Sequence, residues 1–458
     1  MNKTTIGISL GLSLAIFSFL TSQFLQQTPA FSWTLAIALL CICWWVFEPI
    51  PVPATSLIPI AVFPLVGVLS AKQVGEACGS PVILLLMGGA LLSTAMSHSG
   101  AHRRIAMIMV HWFGEKNQRH LVFGFTLAAA TLSMWISNTA SVLMLLPVAM
   151  AVIEKAEDRS LPLPLLLGIA FGASIGGIGT PVGTPANLIF IQVYKDTTGV
   201  EISFSQWMML GLPVVVLFLP VVALWLTRNL NNQHGPVIPK LGAWRPEEKR
   251  VLLVFSLTAL AWITRKEPFG GWSDLFGLET ANDASVALLA VVAMFLIPKG
   301  DGSKDKLLTW EAASEIPWGV VLLFASGVCI AKAFTVSGLS QALGDQLTAL
   351  TAVPVILMIL CIALVVTFMT EAASNTASAT LLMPILAAAA LAAEQDPRLL
   401  MVPAAMSASC AFMLPIATGP NALVFGSGKI EVAEMMREGI LLNIVGACII
   451  TAVCYLII

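Results

Sequence analysis

Ser137-Asn138-Thr139-Ala140-Ser141 recurs without change as Ser374-Asn375-Thr376-Ala377-Ser378, at an offset of 237 in the numbering. Pro147 returns as Pro384 at the same offset, and Ser99-Gly100 returns as Ser337-Gly338 at 238. Pro181, Thr184 and Asn187 return as Pro415, Thr418 and Asn421, each at an offset of 234. Short insertions in loops would produce a drift of that size. The chain is two halves built to one plan.

The residues between these motifs say where the plan is carried out. Of the 458 residues, 58% are apolar and 10% charged, whereas soluble domains carry about 25% charged residues. A soluble enzyme would need far more polar surface, and disorder is excluded on the same grounds. With 23 Lys and Arg against 25 Asp and Glu, no basic surplus is available for nucleic acid. This is a polytopic membrane protein, all α-helical, with the lipid bilayer as its solvent. The eight cysteines lie mostly in apolar runs, without CxxC spacing, and read as packing residues. The 19 methionines and 12 tryptophans read as lipid-facing and interfacial-belt residues. The first apolar run, Thr5 to Leu25, is too long for a signal peptide and suits a retained span.

Apolar stretches able to cross a bilayer fall near 5–25, 32–47, 52–70, 82–100, 161–194, 207–228, 249–265, 284–298, 317–336, 399–426 and 439–458. Two more, 120–153 and 352–393, are too long for one crossing and carry polar residues at their middle. Each reads as a re-entrant helical hairpin. Residues 102–116 suit an interfacial helix with a basic end, and 229–250 reads as the loop joining the halves. With the N-terminus inside, the cytoplasmic side holds 17 of the 23 Lys and Arg, which places the C-terminus outside. Lys332, near the end of a span, is expected to snorkel to the outer interface. Equivalent spans are five crossings apart, and an odd number inverts direction. The halves are inverted-topology repeats, an arrangement of secondary transporters.

Four motifs put polar groups at membrane depth: 133–141, 179–187, 370–378 and 417–421. The first and third are hairpin bends. The second and fourth interrupt long spans with Gly and Pro, which breaks a helix in two. A single Ser-Asn-Thr is usually a helix cap and a single Gly-Thr-Pro a kink. Recurrence of both at matched spacing makes them a binding site. Hydroxyls, amides and kinked carbonyls supply neutral oxygen ligands for sodium, and the free N–H groups at helix breaks suit a carboxylate. Without Lys or Arg in the motifs, co-bound cations would balance an anionic substrate. Glu371 is the one acid in a hairpin motif; its reading divides between a proton carrier and a hydrogen-bonding group that orients the tip.

At these residues the chain resembles the divalent anion:sodium symporter (DASS) family, and its bacterial INDY-type dicarboxylate transporters. The resemblance covers nearly the whole chain and rests on the paired Ser-Asn-Thr tips, on 183–187 and on 412–428. It implies eleven spans, two hairpins and a homodimer of the elevator type, in a bacterial inner membrane. Scaffold parts would be 1–116 and 230–336, and transport-domain parts 117–229 and 337–458. One sodium would be held by Ser133, Ser137, Asn138 and the backbone of Gly183. A second would be held by Thr370, Asn375 and the backbones of Ala373 and Ala417. Substrate carboxylates would meet Asn138, Thr139 and Thr184 from one half, and Asn375, Thr376, Thr418 and Gly419 from the other. Many members carry Pro where this chain has Gly419, which loosens that turn.

The expectation is a sodium-coupled importer of C4 dicarboxylates such as succinate, malate or fumarate. Its rivals are a sodium-independent dicarboxylate or citrate exchanger, a sulfate carrier of the same fold, and a sodium/proton antiporter using Glu371. No nucleophile–base or metal-ligand spacing points to an enzyme.

Overall fold

The computed structural model describes all residues except 1–2, 115–116, 157, 231–241, 268–269 and 348–352. Among those described the fold is helical, with one isolated bridge between Pro298 and Lys306. Half of the expected joining loop, 229–250, lies outside the described residues, and its end, from Pro246, is already helix.

Each expected span corresponds to a helix or a broken helix. The first half opens with Lys3–Phe24, Pro29–Phe47, Val52–Leu65 and Pro81–Ser99. Prolines at the first turn and serine or threonine caps start several of them: Thr28 accepts the Phe31 N–H at 3.2 Å, and Ser80 caps the helix from Pro81. The matching crossings of the second half are Pro246–Ile263, Asp283–Leu296 and Trp318–Ser337. Among the described residues, ten helices are long and apolar enough to cross a membrane, and three shorter apolar ones accompany them. Length alone does not separate a crossing from a hairpin arm, so both kinds are in that set.

The hairpins are Gln118–Ser133 with Asn138–Lys155, and Val355–Ala372 with Asn375–Ala392. The broken helices are Pro162–Gly176 with Pro185–Thr198, and Arg398–Ser407 with Gly419–Gly426. Each half closes on a long span, Phe204–Leu226 or Val432–Ile457. The first half of the first broken helix is buried from Pro164 to its end and packs on the first hairpin. Glycines permit that approach: a Cβ on Gly172 or Gly176 would run into the backbone of Thr126 or Ala130.

Two expectations need correction. The helix Ala101–Gly114 does not hold both its arginines at a lipid surface. Arg104 is buried, donating to Glu248 and to the carbonyls of Gly242 and Ala243, each at 2.7 Å. Pairing offsets the cost of burying that charge. Lys332 is partly exposed and binds Glu76 at 3.0 Å. The tryptophans are not all belt residues, for Trp207 and Trp262 are core side chains whose indole N–H groups donate to Ile178 O and Asp283 O, both at 2.9 Å.

Candidate functional site

The two hairpin tips and the two helix breaks meet in crossed pairs. The second arm of the first hairpin packs on Gly419–Gly426, which follows the second break. The second arm of the second hairpin packs on Pro185–Thr198, which follows the first. Four motifs scattered from Ser133 to Asn421 thus converge.

At the first tip, Ser133 ends one arm and Asn138 begins the next. The buried Ser133 hydroxyl donates to Asn138 Oδ1 in a short hydrogen bond. Gly177, in the break, faces the same amide. A Cβ there would sit 2.8 Å from Asn138 Oδ1 and 3.2 Å from the Gly183 carbonyl oxygen. Asn138 and Gly183 therefore face the same side of Gly177, and Ser133 joins them through its bond to Asn138. Ser137 accepts the Ala140 N–H at 3.2 Å as helix cap. It also borders, with Gly183 and Trp135, a cavity of about 300 Å³. His98 and Glu315 line the same cavity, 3.4 Å apart.

The second tip repeats the first. Thr370 Oγ1 donates to Asn375 Oδ1 at 2.7 Å and lies 3.1 Å from Ala408 O. One hydroxyl proton cannot serve both acceptors fully, so three oxygens share one hydrogen. Such a cluster is short of donors and suits a cation. Ala408 escaped the sequence reading because nothing in an alanine marks its carbonyl. Ala373 is extended backbone at the tip, and Ala417 is buried in the break, where its N–H donates to Leu414 O at 3.2 Å.

Among the expected substrate contacts, Thr139 and Gly419 come together across the halves: a Cβ on Gly419 would collide with Thr139 Oγ1. Thr184 and Thr418 both cap the half-helices after the breaks in extended conformation. The Thr418 hydroxyl accepts the Asn421 N–H at 3.1 Å. The Thr184 hydroxyl does not cap and is buried. Thr376 stands half-buried in the first turn after the second tip. These hydroxyls, with the N–H groups of two helix N-termini, provide donors for carboxylate oxygens.

The breaks are held open by the closing spans. Gly211 lies against Ile178 O and Gly439 against Phe412 O, so close that neither could carry a side chain. Glu371 accepts N–H bonds from Phe412, Met413 and Leu414 at 2.7, 2.9 and 3.0 Å, and from Asn443 Nδ2 at 2.7 Å. Of the two roles left open for this acid, hydrogen bonding to neighbouring backbone is the one its contacts display.

Comparison with known proteins agrees with this architecture. The family profile described as the sodium:sulfate symporter transmembrane region matches residues 11–457. A relative from Staphylococcus saprophyticus, named sodium-dependent dicarboxylate transporter SdcS, is 36% identical, with 99% of this chain and 91% of its own covered. Its namesake from Staphylococcus aureus strain USA300 is 37% identical over 98% and 91%. Among solved structures, the Alcanivorax borkumensis YdaH transporter aligns with a TM-score of 0.59 at 16% identity, covering 85% of this chain and 86% of that one. Neisseria gonorrhoeae MtrF aligns with 0.62 at 15%, covering 87% and 84%. At that identity the two structures speak for the fold alone.

Proposed function

We propose, from the premise that this chain belongs to the sodium:sulfate symporter family, that it is a sodium-coupled secondary transporter of C4 dicarboxylates. Sodium ions are co-transported cargo. One observation carries the reading: the repeat-related pairs Ser133–Asn138 and Thr370–Asn375 each gather hydroxyl and amide oxygens around a single proton. Two positive charges at the tips would flank the proposed substrate ligands Thr139, Thr184, Thr376, Thr418 and Gly419. A dianion there gains the partner that the motifs, lacking Lys and Arg, do not supply.

The sodium ligands are Ser133, Ser137, Asn138 and Gly183 at the first tip, and Thr370, Ala373, Asn375 and Ala417 at the second. The substrate ligands are Asn138, Thr139, Thr184, Asn375, Thr376, Thr418 and Gly419. The transport domain, 117–229 with 337–458, moves against a scaffold of 1–116 with 230–336, in a homodimer. The inverted repeat supports this, since one packing scheme read in two directions gives one state open to each side. The membrane is a bacterial inner membrane, with the N-terminus cytoplasmic and the C-terminus outside, which the Lys and Arg asymmetry supports.

The test is uptake of radiolabelled succinate into proteoliposomes, with and without an inward sodium gradient and with or without internal dicarboxylate. Uptake that requires external sodium and no internal substrate is expected. Uptake that ignores sodium but requires internal dicarboxylate would make the protein an exchanger and withdraw the sodium ligands. No uptake of succinate, with uptake of sulfate, would replace the substrate.

A further inference from the structure

Cation coordination makes no direct use of Glu371, yet few side chains in the protein are held so completely. It ends the first arm of the second hairpin, is buried, and receives four N–H groups from two other elements. Three come from successive residues of the second break and one from Asn443 on the closing span. Its chain neighbour Thr370 is bonded to Asn375 Oδ1 and to Ala408 O. The carbonyl of Ala408 belongs to the segment just before the loop that Glu371 grips. The acid and the hydroxyl thus tie the same tip to the same break on adjacent residues.

The first half does this job differently. By the 237 offset, position 371 corresponds to Met134. There the Met134 carbonyl accepts a short hydrogen bond from the Thr180 hydroxyl, and Trp207 donates to Ile178 O at 2.9 Å. Thr180 corresponds to Leu414 by the 234 offset. The same junction is closed once by a neutral hydroxyl and once by a carboxylate with four donors. Charge-assisted bonds are the stronger kind.

We propose that Glu371 is the positioning residue of the second cation site, setting the distance between the Thr370–Asn375 pair and the Ala408–Ala417 backbone, and has no part in the first. This rests on the reading of the tips as sodium sites. A glutamine there keeps one carbonyl oxygen for Phe412, Met413 and Asn443 but turns its amide NH2 toward the Leu414 N–H, donor against donor. The break would then relax away from Thr370.

The test is a sodium titration of purified protein in detergent without dicarboxylate, followed by the rise in melting temperature, alongside succinate uptake in proteoliposomes. In Glu371→Gln the half-saturating sodium concentration should rise about tenfold, while KM for succinate at saturating sodium stays near wild type. Glu371→Gln should be non-additive with Thr370→Ala and additive with Ser133→Ala. Asn443→Ala removes one donor of four and should shift the sodium requirement less, in the same direction, which keeps the proposal testable if Glu371→Gln does not fold. Unchanged sodium titration in folded Glu371→Gln, or additivity with Thr370→Ala, would overturn it. Wild-type protein that melts higher in sodium but takes up no succinate refutes the assigned substrate and not this role.

Discussion

Asn187 and Asn421, equivalent by the 234 offset, hold their helix breaks with the same atom in the same way. Nδ2 of Asn187 donates to Gly177 O at 3.0 Å and to Thr180 O at 2.8 Å. Nδ2 of Asn421 donates to Ala411 O and Leu414 O, both at 3.0 Å. The two amides thus reach carbonyls at matching places before them in the chain, and both side chains are fully buried. Unwound backbone at membrane depth has carbonyls with no helical partner, and a buried orphan is costly. The asparagine makes the break tolerable in both halves.

Removing either amide should therefore damage the two halves alike. Asn187→Ala and Asn421→Ala each take a donor from two buried carbonyls, one of which, Thr180 O or Leu414 O, keeps a backbone N–H from Gly183 or Ala417; the loss is about 1–3 kcal/mol in each half. Both variants should melt at lower temperature by a similar margin. Asn→Asp should do no better, because a carboxylate has no N–H to give. A variant with wild-type melting temperature would show that water or a neighbour replaces the amide.

The tip amides, as the proposed ligands of cargo, should behave differently. Asn138→Ala and Asn375→Ala are expected to lower sodium-dependent succinate uptake by at least about tenfold with the fold kept. Uptake at the wild-type level in either would remove that tip from the site.

Gly419→Ala should change substrate affinity more than stability. The new Cβ meets Thr139 Oγ1, a side chain that can turn away, and not backbone. Rotating Thr139 removes it from the position proposed to meet a carboxylate. A several-fold rise in KM for succinate, with little loss of melting temperature, is expected; unchanged KM would detach both residues from the substrate.

Glu248 ties the two halves of the chain together. It accepts the Arg245 N–H at 2.9 Å and guanidinium N–H groups of Arg104 at 2.7 Å and Arg245 at 3.2 Å. Glu248→Gln should lower the melting temperature, since an amide offers one acceptor oxygen where the carboxylate offers two. Glu248→Ala should cost about 3–5 kcal/mol at neutral pH, because it leaves Arg104 buried without its partner.

Much of this site could be read from the chain. Ser133, Asn138, Thr370 and Asn375 were visible as repeats of polar residues where hydrocarbon forbids them, and the contacts pair Ser133 with Asn138 and Thr370 with Asn375. Ala408 was not visible, because a backbone carbonyl has no signature in its side chain. Nor was the burial of Trp207, since a tryptophan in an apolar helix reads the same whether it faces lipid or a neighbour. Arg104 looked like the basic end of an interfacial helix because its partner, Glu248, lies in the other half of the chain.

The sequence by itself determined the membrane, the inverted halves, the two hairpins and the two breaks. These follow from hydrophobicity, helix-breaking residues and the parity of crossings, all of which act over a few turns of chain or in simple counts. Only the tertiary structure decided that Thr139 meets Gly419, that Thr370 reaches Ala408, and that Glu371 grips the second break. Those are distances of a few ångströms between residues far apart in the chain. They are set by how helices pack and rotate against one another, which no local pattern encodes.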